Sequence, residues 1–340
     1  MEGISVIIPV YNEEENVAES YRELTSVLQP MGRQYELIFI DDGSRDRTIE
    51  NLRRAAGTDL SVRIIELRRN FGQTAAMAAG IDHSRYGIVV TLDGDLQNDP
   101  AEIPQMVQAL EQGHDLVAGW RKHRKDKFVS RRLPSMMANW LISKLTRVQL
   151  HDYGCTLKVM RGELARSIKL YGEMHRFIPA LANELGAKIV EVPVNHRARK
   201  FGTSKYGISR TIRVVLDLMT VKFLLSFSKR PIHLFGSVGL LCSILGTAVI
   251  GWTMFERFFY SVPMGNRPLF TLAVMLVMIG LQFLVFGLLA EVLTRTYHES
   301  QQKPTYFVRR IHAGGKEEGA DQQPVGSVIH ANPWPRRASR

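Results

Sequence analysis

The run GIVVTLDGDLQNDP, from Gly87 to Pro100, ends a β-branched stretch on two carboxylates, Asp93 and Asp95, with Gln97 two residues further on. In an extended chain, residues i and i+2 point to the same side. The spacing therefore predicts that Asp93 and Asp95 converge, and that Gly94 between them lets a ligand approach closely. Oxygen donors without a Cys or His cluster suit Mg2+ or Mn2+, and Mg2+ commonly takes one or two carboxylates and completes its shell with water and substrate phosphates. A metal-bound diphosphate is the natural ligand of such a pair. A lone D-x-D is more often a solvated turn. Here two further acidic clusters, PVYNEEE from Pro9 and DDGS from Asp41, also follow β-rich runs, which favours one shared polar site.

The elements that must position these residues alternate. β-rich runs lie at Ile4–Val10, Tyr35–Ile40, Val62–Leu67, Gly87–Leu92, Asp115–Trp120 and Lys188–Val194. Amphipathic stretches lie between the early ones, at Glu14–Leu28, Arg45–Ala56, Gln73–His83 and Glu102–Gln112. This alternation predicts an α/β fold with a mainly parallel sheet covered by helices. Ligands of such sheets bind outside the carboxyl ends of the strands, where all three acidic clusters fall.

The chain has 340 residues, which suits one large catalytic domain plus something extra, and a formal net charge of +11, which points to phosphates, whether in nucleic acid, lipid headgroups or a phosphorylated substrate. No Asp, Glu, Lys or Arg occurs between Arg230 and Glu256 or between Arg267 and Glu291. Each gap exceeds the roughly 20 residues that cross a hydrocarbon core. Two spans are expected, at about 232–255 and 268–290, within a hairpin over 231–295. Lys222, Lys229 and Arg230 precede the first span and Arg295, Lys303, Arg309 and Arg310 follow the second, so the positive-inside bias puts both termini in the cytoplasm, at the inner membrane. With Glu2 and only a short β-rich run after it, no signal peptide is expected. Cys155 and Cys242 fall in different parts and make poor disulfide partners. Apolar faces at 133–147 and 206–230 read as interfacial helices with basic residues at the headgroups. The expected organisation is a catalytic domain over 1–205, a juxtamembrane helix over 206–230, the hairpin, and a tail over 296–340 that is disordered from about Ala313.

The motifs IIPVYNEEEN, IDDGSRDRT, TLDGDLQNDP, DYGC and RKFGTSKY, in this order, resemble the family 2 glycosyltransferases that load a sugar onto polyprenyl phosphate. Relatives include dolichyl-phosphate mannose synthases, bacterial polyisoprenyl-phosphate glucosyltransferases and the undecaprenyl-phosphate formamido-arabinose transferases. The last look nearest, through NFGQ, DLQN, DYGC and FIPALAN. The resemblance covers about residues 3–310 and implies a Rossmann-like GT-A domain. It implies that Pro9, Tyr11, Glu13 and Asp42 line the base and ribose pocket, that Asp93 contacts the nucleotide side of the donor, and that Asp95 and Gln97 hold Mg2+ or Mn2+ beside Asp93. It further implies that Arg121 reaches a phosphate, and that Arg199 and Lys205, with help from Arg131, receive the acceptor phosphate. Asp152 matches a catalytic position, or orders the loop beside the metal. The expected substrates are a UDP-sugar and undecaprenyl phosphate in the bilayer, the stereochemistry inverting, and the assembly a homotetramer. Where relatives commonly read DLQNPP or DLQDPP, this chain has Asn98-Asp99-Pro100, an extra charge beside the site.

A processive polysaccharide synthase would carry a Q-x-x-R-W motif and more spans. A membrane-tethered binder of nucleic acid or anionic lipid would leave the acidic strand ends without a purpose. Neither G-x-G-x-x-G nor G-x-x-x-x-G-K-[ST] occurs, which disfavours dinucleotide and ATP sites.

Overall fold

The computed structural model describes residues 2–122, 143, 148–170, 174–197, 231–260, 268–300, 305–314 and 316–318. Arg131, Arg199, Lys205 and the expected interfacial helices lie outside the described residues, apart from Ser143. Two units are distinct: residues 1–218 with 303–340, and residues 219–302.

In the first unit the described residues form one nine-stranded sheet. Its strands are β1 (Ile4–Val10), β2 (Tyr35–Asp41), β3 (Val62–Leu67), β4 (Ile88–Thr91), β5 (Leu116–Trp120), β6 (Lys158–Arg161), β7 (Ile189–Pro193), β8 (Val308–Ala313) and β9 (Lys316–Glu318), in the order β7-β5-β6-β4-β1-β2-β3-β8-β9. The block β3-β2-β1-β4 is parallel, as the alternation predicted. Its strands are buried along almost their whole length, the pattern of a sheet covered on both faces. The helices α1 (Val17–Leu28), α2 (Thr48–Ala56), α3 (Gln73–Asp82) and α4 (Ile103–Glu111) supply the cover, with Val17, Leu24, Leu52, Ile103 and Leu110 buried in the main core. Two short helices, α5 (Gly162–Ser167) and α6 (Ile178–Glu184), follow β6.

Helices α1 and α2 start three residues later than their apolar patterns suggest. The intervening residues lace two strand-end loops together instead. Asn12 N donates to Ser44 Oγ at 2.9 Å, Arg45 N to Asn12 Oδ1 at 2.9 Å, and Glu13 N to Thr48 Oγ1 at 2.8 Å. Such side-chain bonds to backbone compete with the first helical turn.

The sheet is more mixed than expected. β6, which has only four residues and opens on the buried Lys158, runs antiparallel to β4 and β5. The larger departure is at the C-terminus. Val308–Ala313, expected to belong to a tail, pairs antiparallel with β3, and Lys316–Glu318, in the stretch expected to be disordered, pairs with β8. The catalytic sheet is therefore not confined to residues 1–205.

The second unit contains α7 (Pro231–Tyr260) and α8 (Pro268–Ser300). Phe235–Tyr260 and Pro268–Ala290 are long and apolar enough to cross a membrane, with mean hydropathies of 1.9 and 2.6. They touch through small residues: a Cβ on Gly239 would sit 2.6 Å from the Gly280 carbonyl oxygen, and one on Gly280 would sit 2.3 Å from Ser243 Oγ. Close backbone approach at small residues is how helices associate without a hydrophobic driving force. Leu240, Leu241, Met275, Phe286 and Leu288 face outward, so the pair is apolar all round, as a hairpin in lipid must be. Cys155 and Cys242 are both free thiols.

Candidate active site

Strand β4 stops at Thr91, and Asp93 and Asp95 lie in the turn that follows. Strand alternation is therefore not what brings them together. Leu96, 4% exposed, holds φ at +59°, a left-handed conformation that a non-glycine residue rarely adopts and that a turn this tight imposes. Gly94 has a different reason from the one expected. A Cβ there would lie 2.6 Å from Val10 Cγ1 and 3.3 Å from the Pro9 carbonyl oxygen. The glycine lets the turn after β4 pack against the end of β1, and the space is filled by protein. Gly94→Ala is expected to cost about 1–3 kcal/mol by overpacking and to displace both carboxylates. Thermal unfolding and Mn2+ binding check this together, and a variant that keeps both at the wild-type value would contradict it.

Asp93 is gripped from two sides. Gln73 Nε2, on the first residue of α3, donates to Oδ1 at 2.6 Å, and Thr156 Oγ1, just before β6, donates to Oδ2 at 2.7 Å. Thr156 is itself held by Asn98 Nδ2 at 2.9 Å. Burial and then the charge of Asp95 push the Asp93 carboxyl up to about 6. Gln97 N donates to Asp95 Oδ1 at 3.2 Å. Among the described residues no group of three or more His, Cys, Asp or Glu side chains is arranged to hold a metal ion. The pair nonetheless fits a hard divalent cation: its donors are all oxygen, and the Asp95 charge, which adds to burial in raising Asp93, is what a bound cation offsets. Remaining ligands must come from water and from a substrate phosphate.

Arg121, after β5, forms a bidentate pair with Asp152, Nε to Oδ2 at 2.6 Å and an Nη to Oδ1 at 2.9 Å. The two side chains are 13% and 4% exposed. Burial opposes the Arg121 charge, but the hydrogen bonds and charge of Asp152 outweigh it and hold the guanidinium above its ordinary value. The Asp152 carboxylate also accepts from Gly154 N at 3.1 Å, and Glu191 Oε1 accepts from Asp152 N at 2.9 Å. Asp152 thus orders the DYGC loop and aims Arg121, whose charge reaches Asp93. Lys158 is buried behind them, with its ammonium donating to the Cys155 carbonyl and its pKa lowered by burial.

Asp99 caps the short turn Pro100–Glu102 by accepting from Ala101 N at 3.1 Å. Arg197 joins it to α1, with Nη atoms 2.7 Å from Asp99 Oδ1 and 2.7 Å from Glu23 Oε2. The extra charge beside the site is thereby paired with a guanidinium that it shares with Glu23, and it anchors the chain just ahead of Arg199.

A cleft of about 220 Å3 opens at the carboxyl ends of β1, β2 and β3, lined by Tyr11, Asp41, Arg45, Arg68, Arg69 and Arg309 among others. Of the four residues that the resemblance assigns to the base and ribose pocket, Tyr11 lines this cleft. Pro9, Glu13 and Asp42 do not line this cleft. Glu13 Oε2 accepts from Asn16 Nδ2 at 2.5 Å at the start of α1. Asp42 accepts from Phe71 N at 2.7 Å and Gly72 N at 2.9 Å, which fixes the loop leading into α3. Asp41 and Glu66 are the acidic residues that line the cleft; Asp41 is 1% exposed, with burial raising its pKa. Sequence reasoning named Asp41 only within the DDGS cluster and did not single out Gln73, Thr156 or Arg309; the NFGQ motif contained Gln73 without revealing its partner.

Residues 5–168 match the family described as Glycosyl transferase family 2. The chain is 45% identical over 312 residues to the dodecaprenyl-phosphate galacturonate synthase of Rhizobium johnstonii, covering 91% of this chain and 92% of that one. The chain is a family 2 glycosyltransferase. This glycosyltransferase is also 38% identical over 310 residues to the undecaprenyl-phosphate 4-deoxy-4-formamido-L-arabinose transferase of Edwardsiella ictaluri, covering 91% and 94%. The galacturonate synthase is thus the more similar of the two, although the sequence motifs favoured the formamido-arabinose transferases. Among solved structures, glucosyl-3-phosphoglycerate synthase from Mycobacterium tuberculosis, in complex with Mn2+, uridine diphosphate and phosphoglyceric acid, superposes with a TM-score of 0.52 at 20% identity, over 65% of this chain and 78% of that one. That likeness establishes the GT-A fold of the family 2 domain.

Proposed function

We propose that this glycosyltransferase moves a sugar from a nucleoside-diphosphate sugar, with UDP the favoured nucleotide, to a membrane polyprenyl phosphate, with inversion at the anomeric carbon. The observation that carries this reading is the clamped Asp93–Asp95 pair beside the Arg121–Asp152 pair. It occurs in a chain aligned over nine-tenths of its length with proteins named for polyprenyl-phosphate sugar synthesis or transfer. A divalent cation, Mg2+ or Mn2+, would be held by Asp95 and Gln97 beside Asp93, and when bound it supplies counter-charge to the departing diphosphate.

The chain's own residues do the rest. Gln73 and Thr156 fix the Asp93 carboxylate, so little reorganisation remains at the moment of reaction. Arg121, held by Asp152, presents a fixed positive charge toward the same corner. The acceptor needs no obligatory base, because a phosphate monoester with a second pKa near 6 is mostly dianionic at pH 7. Arg199 and Lys205 counter that charge and orient the acceptor. The two apolar helices keep the enzyme where a prenyl tail resides, with the catalytic unit and both termini on the cytoplasmic side.

The test is a donor panel with undecaprenyl phosphate as acceptor, with and without chelator. The panel includes UDP-galacturonate and UDP-formamido-arabinose, the sugars in the names of the two relatives. Transfer from one donor, lost in chelator, supports the reading. Turnover without polyprenyl phosphate, or growth of a long glycan, would replace it. Arg199→Ala and Lys205→Ala are each expected to weaken acceptor use by roughly ten- to hundredfold, the range of a charge-assisted hydrogen bond of about 1.5–3 kcal/mol. Donor affinity should stay near wild type. Donor binding lost with acceptor kinetics intact would assign that loop to the other substrate.

A further inference from the structure

Strand β8 does not pair evenly with β3. Glu66 faces Arg310 and Leu67 faces Val308, so two consecutive residues of β3 span three of β8, and Arg309 is the extra one. An extra residue of this kind is a β-bulge, which locally re-aims a side chain and recurs next to active sites. The bulge is pinned on both sides. Before it, Arg68 N donates to the Phe307 carbonyl at 2.9 Å, the Phe307 ring lies 6.1 Å from that of Phe71, and Tyr306 donates to Asp82 Oδ2 at 2.9 Å. After it, His312 Nε2 lies 2.7 Å from Glu66 Oε1. Regular pairing would place residue 309 in the ladder. The bulge instead leaves the Arg309 guanidinium exposed at the strand end, where it lines the cleft with Tyr11, Asp41, Arg68 and Arg69.

The strand order says which end of a donor this cleft takes. The carboxylate pair follows β4, Tyr11 follows β1, Asp41 ends β2, Arg68 follows β3, and Arg309 comes from β8 beyond it. At about 4.8 Å per strand, β3 lies roughly 14 Å across the rim from β4. A diphosphate bound at Asp93 and Asp95 therefore leaves the nucleoside to reach toward the β2, β3 and β8 ends. A tyrosine ring gives a base a flat partner, and a guanidinium fork matches the carbonyl oxygens at a base edge.

We propose that Arg309, delivered by the strand that follows the apolar hairpin, is a ligand of the donor's nucleoside and so completes the donor site. This rests on the reading that the site takes a nucleoside-diphosphate sugar. A guanidinium from outside residues 1–205 then sets part of the nucleotide specificity.

The experiment uses the full-length protein in detergent with Mn2+ and measures binding of UDP and of inorganic pyrophosphate. Arg309→Ala is expected to weaken UDP about tenfold and leave pyrophosphate within twofold, since pyrophosphate lacks the nucleoside. Retained pyrophosphate binding also shows that the variant is folded. Arg310→Ala, which removes the same charge from the adjacent residue, should change neither. UDP binding at the wild-type level in Arg309→Ala overturns the inference, and so does an equal loss of pyrophosphate. Wild-type protein that binds neither UDP nor GDP would overturn the donor reading itself, an outcome distinct from a failure of Arg309 alone.

Discussion

Asp95→Asn is expected to lower sugar transfer by more than about a hundredfold, the scale on which lost stabilisation of developing charge falls, while leaving the thermal midpoint near wild type. Asp95 is 8% exposed and sits in the turn after β4. Removing its charge would take away the proposed cation ligand and also the like charge that helps to raise Asp93. The Asp93 carboxyl should therefore ionise more readily in the variant even as the site loses its hold on the cation. Initial rates across a Mn2+ titration check this. A variant that reaches wild-type velocity at any Mn2+ concentration retains an adequate site, and full wild-type activity in excess chelator removes the cation from the mechanism altogether.

The second large effect is on stability. Asp152→Ala leaves the Arg121 guanidinium buried without its bidentate partner. Breaking one side of a buried ion pair typically costs about 3–5 kcal/mol. At roughly 2–4 °C per kcal/mol for a domain of this size, the midpoint of the catalytic unit should fall by roughly 6–20 °C. Replacing both residues with apolar side chains of similar volume, Arg121→Met with Asp152→Leu, should recover much of the stability, because an apolar pair escapes the desolvation cost. Activity should not return with it, since Arg121 also presents charge toward Asp93. A double variant as active as wild type would reduce the pair to a packing element. An Asp152→Ala midpoint within a degree of wild type would mean that the pair is solvated in solution.

Much of the sheet was legible because its parallel strands are buried on both faces and so read as unbroken β-branched runs. β1 and β3 begin and end where those runs do. What escaped was everything set by a partner distant in sequence. β6 is short, and the lysine that opens it is buried by its surroundings rather than by its own character. Asp41 and Asp42 are adjacent and chemically identical; only the loop at Phe71 and Gly72, which engages Asp42, decides which of them faces the cleft. Gly94 carried the right residue type with a different cause, because its constraint is Val10 on a neighbouring strand. The grip of Gln73 and Thr156 on Asp93 joins three segments that no local pattern connects. β8 was hidden by its place after two apolar helices, where a sequence reader expects only a tail.

That place has a bearing on how the protein is made. A ribosome delivers β3 early, and its outer edge then carries a row of unpaired N–H and C=O groups, a template for pairing with any other exposed strand. The partner that closes this edge, β8, leaves the ribosome only after both apolar helices have been synthesised. Nascent chains tend to fold from the N-terminus while exposed strand edges invite misassembly, so the interval before β8 arrives is when this domain is most open to aggregation. Completion of the water-facing half must wait for synthesis of the lipid-facing one, and a polypeptide that stalls inside the hairpin carries an unfinished sheet along with an unfinished anchor.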